Sequence, residues 1–177
     1  MASPASDPGL ALLRTAVRGT PTELGLAAIL PRLQRSHRKH LVRQEHWTQG
    51  ELARHPDPRE LIRSVRRPGN MTEQRRLIRV FDARRVLVEA VHENRVVKYV
   101  VLEVRARLAH LASGGDLEAA TLLHELEAGV AYAPFLNAVG GLDARPTVPT
   151  ATLSGDPLYR RVFRTWLELE GSPKRDR

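Results

Sequence analysis

The sequence contains no cysteine. That single absence removes a disulfide framework, a thiolate zinc finger and a thiol nucleophile, and it suits a reducing cytoplasm. Aromatic residues are scarce, at 5% of 177 residues, so the core has to be assembled from Leu, Val and Ala. Lysine is nearly missing too: of 28 basic residues only Lys39, Lys98 and Lys174 are lysines. None of the three follows a glycine, so there is no phosphate-cradling loop of the Walker type. The residues two places before them are His37, Val96 and Ser172. A Mg²⁺-dependent nuclease of the Asp and Glu-x-Lys type needs a carboxylate there, so that site is not encoded. His124-Glu125 lacks the second histidine of a zincin helix, and no Gly-x-Ser-x-Gly elbow occurs. No apolar run reaches the roughly 20 residues of a membrane span, and the first residues lack a secretory signature. The expectation is a cytoplasmic, membrane-free protein with no catalytic residue, metal site or cofactor.

What is present is arginine, unevenly placed. Residues 1–100 hold 19 Lys and Arg against 10 Asp and Glu, whereas residues 101–177 hold 9 against 10. Arginine pairs bidentately with phosphate, so a nucleic-acid partner stands beside the plainer reading of a solvated basic surface. The densest cluster runs from Arg32 to Arg43, and Arg35, Arg38, Lys39 and Arg43 are its candidate phosphate contacts. His37 and His40 share a helical face, but two histidines without a carboxylate at fixed spacing make a weak metal site.

The periodicity predicts a mainly α fold around one long helix, residues 92–113. Val97, Val100, Val101, Val104, Leu108 and Leu111 recur at three- and four-residue spacing, and Gly114-Gly115 ends the run. Before it, Asp7-Pro8 opens a helix that Gly19 ends, and Thr22 caps a second, with Pro31 as a kink or stop. Asp57-Pro58 opens a short helix over Leu61, Ile62 and Val65, and Pro68-Gly69-Asn70 is a turn. Residues 76–91 read as a small β element, a strand pair about Asp82-Ala83-Arg84, or alternatively as a helix leading into the central one. After it, Asp116 caps a helix that Pro134 breaks, a Pro- and Thr-rich loop covers 143–152, and Asp156-Pro157 opens a last helix along Leu158, Val162, Trp166 and Leu169. Arg160, Arg161 and Arg164 are placed on its polar side. The expected organisation is one helical domain over residues 8–170, with disordered ends at 1–7 and 171–177.

The most informative triplet is Glu93-Asn94-Arg95, in the first turn of the long helix. It reads as a polar clasp: Glu93 at the positive end of the helix dipole, Asn94 on a free backbone N–H, Arg95 pairing with Glu89 or another helix. Alternatively Arg95 and Lys98, one turn apart, contact phosphate.

The segment Glu-Asn-Arg-Val-Val-Lys-Tyr-Val at 93–100 resembles the signature of a bacterial family of domains of unknown function related to McrC, the nuclease subunit of McrBC-type restriction systems. Trp47 followed by Asp57-Pro58-Arg59-Glu60-Leu61 resembles its upstream connector, and Asp156-Pro157-Leu158-Tyr159-Arg160-Arg161-Val162 its downstream helix. Val91 and His92 stand where the family has Thr and Pro, so the usual side-chain cap is missing. The resemblance marks Glu93, Asn94, Arg95, Lys98, Asp156, Tyr159 and Arg160 as signature residues. It implies the central helical part of a restriction-type protein without the nuclease part, working with an AAA+ motor or a separately encoded nuclease. The expected function is a non-catalytic antiphage module that binds the DNA backbone without reading sequence; the alternative is a structural interaction module that never touches nucleic acid.

Overall fold

The computed structural model describes residues 7–171 apart from His55, Asp57 and Asp143; at Glu45, Ala83 and Arg84 it describes the backbone. The disordered ends expected at 1–7 and 171–177 lie outside these residues except at Asp7 and Gly171, which cap α1 and end α8. The expected cap at Asp57 and loop start at Asp143 also lie outside them. The fold is mainly α, as expected: eight helices and one two-stranded sheet among the described residues. No helix among them is long and apolar enough to cross a membrane. The chain gathers into two compact units, one of residues 1–38 with 89–177, the other of residues 39–88.

In the first unit α1 (Pro8–Arg18) begins where the Asp7 carboxylate accepts from Gly9 N, and it ends at Gly19, whose φ of +87° suits glycine. The second helix does not start at Thr22. Residues 20–25 form a closed turn, with Thr20 N donating to Glu23 O, and α2 (Leu26–Ser36) begins after Gly25. Pro31 neither stops nor ends it; the helix runs on to Ser36.

The central helix α4 (His92–Ser113) has the expected bounds. Val96, Val97, Val100, Val101, Val104 and Leu108 are buried in a core shared with α1, α2, α5 (Leu117–Ala131), α6 (Phe135–Ala138) and α8 (Pro157–Gly171). Asp116 caps α5 by accepting from Ala119 N at 2.9 Å. The Pro- and Thr-rich segment is not all loop: Thr150 caps a short α7 (Ala151–Gly155). Trp166 closes the base of the core, its indole donating to Pro146 O at 2.8 Å and meeting Tyr99 edge-on at 5.0 Å.

The second unit corrects the reading of both its strands. Residues 32–43 are not one helix: α2 ends at Ser36, and β1 (His40–Gln49) follows. The 76–91 element is not a strand pair turning at 82–84. It is one continuous strand, β2 (Arg79–Val88), antiparallel to β1 from His40↔Val88 to Gln49↔Arg79. Between them lie a turn at Gly50–Leu52 and α3 (Pro58–Arg66). Asn70, in the expected turn, clips α3 to the edge of β2. Its Nδ2 donates to Ser64 O and Arg79 O, both at 2.7 Å, and its Oδ1 accepts from Arg79 N at 2.8 Å. Val80 is the one buried large apolar side chain of this unit among the described residues.

Candidate functional site

Two constellations stand out. The first is the buried polar knot at the head of α4. Asn94 is fully buried there. Its Nδ2 donates to Arg38 O and to Glu89 O, both at 2.8 Å. Its Oδ1 accepts from the Tyr159 hydroxyl at 2.5 Å, and the same hydroxyl oxygen accepts from Arg38 N at 2.9 Å. Arg38 and Glu89 are the residues that flank segment 39–88. One amide and one phenol therefore hold both ends of that excursion against α4 and α8.

Neighbouring side chains brace the knot. Asp156 accepts from Leu158 N at 2.9 Å and Tyr159 N at 3.3 Å, which starts α8 and places the phenol. Thr150 Oγ1 donates to Glu93 at 2.8 Å. The His37 ring stacks on Phe135 at 4.6 Å, with Nε2 3.0 Å from Glu89 Oε1 and Nδ1 3.0 Å from Gln34 O. His37 and His40, at a helix end and a strand start, share no helical face. Burial pushes the Tyr159 hydroxyl up to about 12, so it stays neutral and committed to its two hydrogen bonds. With its donors and acceptors engaged inside the fold, this group binds and positions backbone.

The knot gathers several of the residues singled out in the sequence. Glu93, Asn94, Asp156 and Tyr159 come together in it. Asn94 donates to carbonyls rather than accepting from a free backbone N–H. Lys98 donates to Val139 O at 2.6 Å, tying α4 to the segment after α6. Arg95 is half-buried, and its Nε has no hydrogen-bond partner among the described residues. Arg160 is exposed on α8. Arg161, expected on the polar side, is buried instead, with its guanidinium between Glu23 at 3.2 Å and Glu168 at 3.3 Å.

The second constellation is basic. In the helical unit seven arginines face glutamates, while Arg32, Arg35, Arg38, Arg95 and Arg160 form no ion pair among the described residues. Arg14 grips Glu118 at 2.5 and 2.7 Å, and Arg18 grips Glu125 at 2.8 and 2.7 Å. Arg105, Arg107, Arg145 and Arg164 pair with Glu127, Glu103, Glu170 and Glu23. The side-chain hydrogen bonds in the first two forks pull Glu118 and Glu125 below the ordinary carboxylate range. Segment 39–88 is different. It carries twelve Lys and Arg against six Asp and Glu. Among the described residues Arg54, Arg66, Arg67, Arg75, Arg76, Arg79 and Arg85 form no ion pair, while Arg63 pairs with Glu60 at 3.2 Å.

Of the expected phosphate contacts, Arg35 lies exposed in the last turn of α2 and Arg38 beside it. Lys39 and Arg43 belong to the other unit, Arg43 exposed on β1. Sequence reasoning missed Arg67, Arg79 and Arg85, together with Trp47 and Phe81. Their signal was period-two alternation, Leu41, Arg43, Trp47 in one strand and Arg79, Phe81, Arg85, Leu87 in the other. Reading 32–43 as helical hid it. No family model, curated protein or solved structure matches this chain, so its functional reading rests on these two constellations and on the residues that compose them.

Proposed function

We propose that the chain is a non-catalytic module that holds a nucleic-acid backbone through segment 39–88, within a restriction-type system like that of the McrC-related family. The observation that carries this is the segregation of charge. Seven of the twelve described arginines of the helical unit pair with glutamates, whereas seven of the ten arginines with described side chains in the smaller unit carry no carboxylate partner among the described residues. Uncompensated guanidinium groups at that density repel one another, and polyanionic phosphate relieves the repulsion. The resemblance to the McrC-related signature supplies the biological setting and, with it, an AAA+ motor or a separately encoded nuclease as the protein partner.

A second reading has its own support. Among the described residues, ten of the fifteen exposed large apolar side chains, including Leu52, Ile62, Val65 and Ile78, lie in segment 39–88. This favours a protein-docking module without nucleic acid.

Titration of a labelled DNA duplex at several salt concentrations separates the two. Backbone binding makes log K fall linearly with log salt, with a slope of about −0.9 for each phosphate contacted. Replacing Arg75, Arg76, Arg79 and Arg85 by Gln flattens that slope by roughly one per lost contact. Salt-independent binding, or none, favours the docking module.

A further inference from the structure

The face of the β1–β2 ladder that carries odd-numbered residues differs from its opposite face. Its cross-strand pairs are Leu41·Leu87, Arg43·Arg85, Glu45·Ala83, Trp47·Phe81 and Gln49·Arg79. Gln49·Arg79 adjoins the aromatic rung on one side, and on the other Glu45·Ala83 separates it from Arg43·Arg85; successive same-face rungs are about 7 Å apart. Trp47 and Phe81 meet edge to face at 5.5 Å, and the Arg67 guanidinium sits over the indole at 4.9 Å. Trp47 remains 38% exposed. On the other face Val80 and Asp82 are buried.

The arrangement runs against the needs of a free hairpin. A half-exposed tryptophan stands in a unit that buries only Val80 among its described large apolar residues, so the ring was available to complete a core and does not. Phosphate contact alone needs arginine and no aromatic group. Exposed rings between arginines suit a ligand with both flat apolar faces and regularly spaced anions, and unpaired nucleobases on a phosphate backbone have both. In a duplex those base faces are stacked and out of reach.

We propose that this face binds single-stranded nucleic acid, with a base stacked on the Trp47–Phe81 pair and flanking phosphates held by Arg67, Arg79 and Arg85. The inference rests on the backbone-binding reading above and adds the strandedness of the ligand and the stacking residue. Stacking is tolerant of base identity, so the site takes mixed sequences and has no base-specific hydrogen bonds to lose.

The test uses the full chain and three labelled probes of equal length: oligothymidylate, a duplex, and an abasic strand with the same phosphates. Oligothymidylate is expected to bind best. Trp47→Ala lowers its affinity about tenfold, in the range for loss of one stacked base, and leaves duplex and abasic binding unchanged. Trp47→Phe keeps most of the affinity and controls for folding, alongside an unchanged thermal melt. Equal binding of all three probes, insensitive to Trp47→Ala, overturns this proposal while leaving backbone binding intact. No binding to any probe overturns both and hands the face to a protein partner.

Discussion

Asn94 shows how one side chain serves distant parts of the chain. It spans Arg38, Glu89 and Tyr159, residues separated by up to 121 positions. Without it two part-buried carbonyls and a buried phenol lose partners, and an orphaned buried group costs roughly 1–3 kcal/mol, more than the hydrogen bond itself contributes. The phenol adds a pH dependence. Its ionisation is raised by burial from 10.0 to about 12. The neutral form is favoured in the fold, so its contribution is fully present below pH 10 and disappears as pH rises toward 12. Tyr159→Phe is expected to cost about 1–2 kcal/mol at neutral pH through the unmet Asn94 and Arg38 groups. It should also lose less stability than the parent between those two pH values. Urea unfolding at a series of alkaline pH values checks this; parallel pH profiles for the two proteins would remove Tyr159 from the titration.

At the scale of elements, the helices were legible where they carry their own punctuation. Asp7, Asp116 and Asp156 cap, Gly19 and Gly115 close, and the α4 stripe repeats over 22 residues. What escaped was non-local. The strand β1 pairs with a segment about 40 positions away, and nothing within residues 32–43 announces that ladder. Thr22 has the chemistry of a cap and lost to the turn that Gly19 and Gly25 close. Pro31 looks like a stop, yet α2 continues, leaving Ala27 O without the N–H that would bond to it. That stretch of α2 is where α5 comes closest. A Cβ added at Gly129 would stand 2.9 Å from Ala27 Cα and 3.0 Å from Ala27 O, both backbone atoms that cannot swing aside. Gly129→Ala therefore sets a helix-propensity gain of about 1 kcal/mol against overpacking of about 1–3 kcal/mol, and the crossing wins. The variant should unfold at lower denaturant than the parent; a higher midpoint would mean that α2 and α5 separate freely.

At the scale of the whole molecule, apolar burial is divided as unevenly as charge. Of the buried apolar residues described, all but Val80 lie in residues 1–38 and 89–177, and Val80 alone lies in 39–88. A two-stranded ladder with one short helix is marginal in water by itself, so any ligand of the folded form would raise its stability in proportion to its binding. The polar clips at Asn70 and Ser64 set its geometry without adding a hydrophobic term. The same division explains why the helical half was readable from periodicity, which reports burial, and the hairpin half was not: its apolar residues face outward. Native-state hydrogen exchange tests the consequence. Amides of β1 and β2 are expected to exchange through openings that cost less than global unfolding, while those of α4, α5 and α8 exchange only with it. An added nucleic-acid strand should slow exchange in β1 and β2 alone. Equal protection of β2 and α4 in the free protein would show that the small unit draws stability from a source other than its own core, and would count against ligand binding at its exposed apolar and cationic face.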